Sequence, residues 1–167
     1  MKRVCLAMLV VCMLVLASAP VVYGANEVAV YLTGESRSLT VDFGNPEGFM
    51  FHAAATEYAG NIALRLRLAH LLGKTGVGSY YVHAGATGDL SDLGGVVPEV
   101  GLMGVNRMEA TVLTAEVSAA YLAPEVVFVW QAGFGIRLRD RLYLRGFVQG
   151  HAADPTVVTG VGLSYQF

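Results

Sequence analysis

Toward its C-terminus the chain alternates apolar with small or polar residues at a period of two. Val157, Thr159, Val161, Leu163, Tyr165 and Phe167 share one face, while Val158, Gly160, Gly162, Ser164 and Gln166 share the other. Just upstream, Leu142, Leu144 and Val148 oppose Arg141, Tyr143, Arg145 and Gln149, with Phe147 an apolar exception on the polar face. The longest run sets Val126, Phe128, Trp130, Ala132, Phe134, Ile136 and Leu138 against Glu125, Gln131, Gly133, Gly135, Arg137 and Arg139. A helix would separate Arg137 from Arg139 by about 200°, whereas a strand keeps both on one side with the glycines. Residues 61–71 repeat the pattern, with Ile62, Leu64, Leu66 and Leu68 opposite Arg65 and Arg67. Leu and Arg are good helix formers, so a helix is the rival reading there. Strict alternation between Gly60 and Gly73 favours a strand.

Six more strands are expected at residues 27–33, 38–44, 48–57, 78–87, 98–106 and 108–122, which makes ten. The first hairpin is the shortest, and eight strands is the alternative count. The expected fold is all-β: a closed, antiparallel, up-and-down transmembrane β-barrel. A sheet crosses a bilayer only when closed, because each unpaired backbone group costs several kcal/mol in hydrocarbon. Each strand then needs apolar residues on its outer face alone, with aromatic girdles at the two interfaces. Phe43, Phe49, Phe51, Tyr165 and Phe167 fall near one set of strand ends, and Tyr31, Tyr58 and Tyr121 near the other, Tyr31 with an inward-facing alternative. Leu66 and Phe128 are expected near the bilayer midplane. Residues 88–97 form the longest connection, on the outer side.

The first 24 residues stand apart. Lys2 and Arg3 precede an apolar run from Val4 to Ala17, and Val22-Tyr23-Gly24 places a small residue before a cut. Residues 1–24 are therefore expected to be a cleaved signal peptide and residues 25–167 the barrel domain, with Ala19 as the rival cleavage position. An uncleaved anchor is the other reading, but the run is short of the roughly 20 residues a spanning helix needs. Cys5 and Cys12 both lie inside this segment, which leaves the remainder without a disulfide or thiolate metal site.

Only 14% of residues are charged, and 20 are glycine. A formal net charge of -2 with no basic run gives no footprint for nucleic acid. By face, the lumen collects Glu27, Asp42, Glu99, Glu116 and Glu125 with Arg65, Arg67, Arg137 and Arg145. Charges of both signs in so narrow a space are expected to pair across it. A packed, ion-paired interior is one reading, and an arginine-lined solute path the other. His52, His70, His83 and His151 show no ligand or triad spacing, so neither a metal, a cofactor nor an enzyme activity is expected. His52 and His83 are expected to face inward. Asp89, Asp92 and Glu99 match no compact calcium loop.

Ending Leu163-Ser164-Tyr165-Gln166-Phe167, the last strand resembles the terminal strand of bacterial outer-membrane β-barrel proteins. The resemblance implies a Gram-negative-type outer-membrane location, contact with outer-membrane lipid, and assembly by the barrel assembly machinery, with Tyr165 and Phe167 as part of the assembly signal. It names a superfamily whose small members include adhesion proteins, anchors, narrow channels and a few enzymes, and fold alone does not choose among them. A structural or surface-interaction role is the leading expectation. A narrow porin-like channel is the alternative, with a lipid-modifying enzyme behind it.

Overall fold

A computed structural model describes residues 26–90, 95–152 and 154–167. The expected signal segment and Asp92 lie outside these residues. The described residues form ten strands: β1 (Glu27–Thr33), β2 (Ser36–Gly44), β3 (Phe49–Tyr58), β4 (Asn61–Thr75), β5 (Gly78–Asp89), β6 (Val96–Arg107), β7 (Thr111–Leu122), β8 (Glu125–Arg139), β9 (Leu142–His151) and β10 (Asp154–Gln166). Each pairs with its sequence neighbours, and β10 returns to β1 to close the barrel. Closure runs antiparallel from Glu27↔Gln166 to Thr33↔Gly160. The Phe167 amide donates to the Asn26 carbonyl at 3.0 Å, so both described ends meet at one rim, called here the terminal rim. The other is the loop rim.

Residues 61–71 are strand, not helix, and the strand continues to Thr75. A register shift between Leu71 and Gly73 changes the phase of the alternation at the point where the sequence pattern fades. Another shift, between Arg137 and Arg139, turns Arg139 off the face that Arg137 shares with Gln131. Met108 and Glu109, expected within a strand, instead belong to the β6–β7 turn, where the Met108 amide donates to the Thr111 carbonyl at 2.8 Å.

The outer surface is apolar, with Leu66, Leu102, Val117 and Val161 each more than half exposed. Near the terminal rim Phe43 stacks on Phe51 with ring centroids 5.1 Å apart, and Phe49 meets His70 at 4.5 Å. Tyr58 and Tyr121 are exposed near the loop rim. Phe128 also lies there: its carbonyl accepts from Ala152 in the β9–β10 turn, so it belongs with the loop-rim aromatics and not at mid-height. Tyr31 points inward and meets Phe147 edge-on, with centroids 5.5 Å apart. That contact gives Phe147, the apolar exception on its face, a packing role.

Strand-interior glycines face large side chains across the ladder. Tyr31 lies over its register partner Gly162, Phe147 over Gly160, His83 over Gly101, Arg67 over Gly85 and Trp130 over Gly150. A glycine costs local strand propensity but leaves a depression in which a long side chain can lie flat. A Cβ at Gly162 would come within 2.7 Å of Tyr31 Cδ1 and would also strike the Val30 carbonyl. Gly162→Val is accordingly expected to lower stability by about 1–3 kcal/mol, the usual cost of overpacking, and more than the same change at the open position Gly73. Urea midpoints of the two variants in one detergent check this.

Candidate functional site: an ion-paired lumen

Alternation directs one face of every strand into the barrel, where two clusters of charged residues lie against opposite walls. On the β4–β7 wall, Arg65 forks onto Glu99, with Nε to Oε1 at 2.8 Å and Nη2 to Oε2 at 2.6 Å. Arg67, lying across Gly85, donates through Nε to Glu99 and grips Glu116 through Nη1 at 2.8 Å and Nη2 at 2.5 Å. One guanidinium thus joins three strands. The Arg67 side chain is 7% exposed and that of Glu99 4%, so water does little to weaken the pairing. Ser118 Oγ donates to Glu116 Oε1 at 2.8 Å.

Across the barrel, Arg145 Nη2 bonds both oxygens of Glu27 at 2.6 and 2.5 Å, its Nε donates to Ser164 Oγ at 3.0 Å, and Gln166 donates to Glu27 at 3.1 Å. A third pair, Asp42 and His52 at 2.7 Å, joins β2 to β3. The two arginine clusters each contain both signs, so neither wall is an uncompensated cationic track.

Between these groups runs a cavity of about 260 Å³. Its lining extends from Arg107 and Val112 toward the terminal rim to Thr56 and Gln149 toward the loop rim, passing His52, Thr114 and Gln131. Polar groups facing a cavity of this kind can exchange hydrogen bonds with water or a small solute.

Of the residues that face and charge marked in the sequence, Arg65, Arg67, Glu99 and Glu116 come together, as do Glu27 and Arg145, while Asp42 joins His52. Arg137 and Glu125 do not join either cluster; both are exposed, at opposite ends of β8. Face parity alone does not give height along the axis, which is why those two looked equivalent to the buried charges. Ser118 and Arg107 were not singled out from the sequence. The signal for Ser118 is its place two residues from Glu116 on the same face.

His83, Ser118 and Glu116 meet without forming a nucleophile–base chain. The serine proton is directed to Glu116, His83 Nε2 stands 3.4 Å from Ser118 Oγ, and His83 Nδ1 is buried without a hydrogen-bond partner among the described residues. A triad requires the serine on one ring nitrogen and an orienting group on the other.

No family model and no curated protein matches the chain. Among solved structures it is similar to the KdgM porin, with a TM-score of 0.55 at 8% identity, covering 86% of this chain and 99% of that one. The KdgM porin in complex with disordered oligogalacturonate gives the same TM-score and coverage at 9% identity. The shared property at these identities is the fold, a porin-like closed barrel.

Proposed function

We propose that this chain is an integral outer-membrane barrel that forms a narrow passive passage for small ions and solutes. The observation that carries the proposal is a cavity, with His52, Thr114 and Gln131 in its lining, that runs between two internally neutralised walls of a closed barrel whose exterior is apolar. Water inside and hydrocarbon outside satisfy both surfaces at once. The likeness to a porin supports the choice of a channel over the structural role that the sequence favours. In the same proposal, Tyr165 and Phe167, both exposed on or beside β10, serve recognition by the barrel assembly machinery.

A second reading, a sealed barrel with a structural role, draws on Arg67, whose bridge from β4 to β6 and β7 stiffens one wall and occupies lumen space. Flux separates the two. Liposomes carrying the folded protein are expected to swell in isotonic solutions of small sugars or amino acids and not in those of large oligosaccharides. Swelling no faster than in protein-free liposomes for every solute would favour the sealed barrel.

A further inference from the structure

The two mouths carry opposite charge. At the loop rim, Asp89 and Glu125 end or begin strands on the lumen-facing side, and Glu35 sits in the exposed β1–β2 turn; Arg37 is the base nearby. At the terminal rim, Arg107 lines the cavity and Arg137 lies on the lumen-facing side of β8. Neither arginine forms an ion pair among the described residues. Lys74 is compensated there by Glu47 at 2.6 Å, and its hydrogen bond holds the Glu47 carboxyl below the ordinary carboxylate range. Glu109 and Asp140 lie in the adjoining turns, with Arg139 and Arg141 beside Asp140 in sequence. Arg145 with Glu27, and Arg65 and Arg67 with Glu99 and Glu116, form internally balanced groups between the mouths, while Asp42, bonded to His52, adds one lumen carboxylate on the terminal half against the two cations Arg107 and Arg137.

From this arrangement we infer that the passage rectifies ionic current, conducting better when the loop side is positive. The inference rests on the channel reading. An acidic mouth concentrates cations and a basic mouth anions, because a low-dielectric wall focuses the field of fixed charges. With the loop side positive, cations enter through the acidic mouth and anions through the basic one, so both accumulate inside and conductance rises. With polarity reversed, each ion must enter through the mouth that repels it, and the interior is depleted.

Single-channel recordings of the full-length protein carrying Cys5→Ser and Cys12→Ser test this, with the loop side identified by avidin added to one chamber against a biotinylated Ala152→Cys, then the sole thiol. At 0.1 M salt the loop-positive current is expected to exceed the reverse current by about 1.5-fold, and the asymmetry to fade at 1 M, where the screening length falls from about 10 to about 3 Å. Arg107→Glu with Arg137→Glu makes both mouths acidic and is expected to abolish the asymmetry while leaving a cation-selective pore. Glu125→Lys should reduce it from the other end. Symmetric current through an open wild-type pore, asymmetry of opposite sign, or asymmetry unchanged in the double variant would overturn the inference and leave the channel standing. A folded barrel that passes no current would overturn both.

Discussion

Arg67→Met is expected to lower the unfolding free energy by about 3–5 kcal/mol, the cost of removing one partner from a buried ion pair. The guanidinium contacts Glu99 and both oxygens of Glu116, at side-chain exposures of 7%, 4% and 12%. Its loss leaves Glu116 with Ser118 and with Arg65 at 3.9 Å, while Glu99 keeps the Arg65 fork. Glu116 is therefore the orphaned group, and adding Glu116→Gln to Arg67→Met should restore part of the loss. Urea titration of wild type, both single variants and the double variant gives the coupling energy. A loss under 1 kcal/mol for Arg67→Met, or additive effects, would mean that the cluster is hydrated and weakly coupled.

Leu66→Arg carries the second large effect, an expected loss of about 2–4 kcal/mol for an arginine on the lipid face near mid-height. Leu66 is 62% exposed on the outer wall and pairs with Ala53 and Ala86, both well inside their strands. Val117→Arg, halfway along β7 at 55% exposure, should behave alike. Phe128→Arg should cost less, since Phe128 lies close to the loop rim and arginine near an interface loses only about 0–1 kcal/mol. Val77→Arg, in the exposed β4–β5 turn, is expected to be tolerated. Folding titrations into lipid vesicles rank the four. Equal behaviour at Leu66 and Val77 would mean that the apolar exterior does not face hydrocarbon.

The strands were legible because alternation is a local property that each segment displays without its partners. Residues 126–138 and 157–167 show this most clearly. The bends were less legible. Leu71–Gly73 breaks phase through one inserted residue, and from sequence that resembles the end of a strand. Charge pairing was legible only as an expectation that opposite signs would meet. That Arg67 reaches across β5 to Glu99 depends on Gly85 lying beneath it, and the glycine's role appears only once the register sets the two side by side. Height along the axis was hidden for the same reason, which is how Arg137 came to be grouped with buried arginines and Phe128 with mid-height residues.

The chain has one tryptophan, Trp130, held on the outer face over Gly150 and paired with Val117. Its fluorescence therefore reports what surrounds the barrel wall. In vesicles of lipids brominated along the acyl chains, emission is expected to be blue-shifted and strongly quenched, with little quenching by aqueous iodide. Red-shifted emission that iodide quenches and brominated chains do not would contradict a membrane-spanning barrel and mean that the apolar wall meets water or another protein.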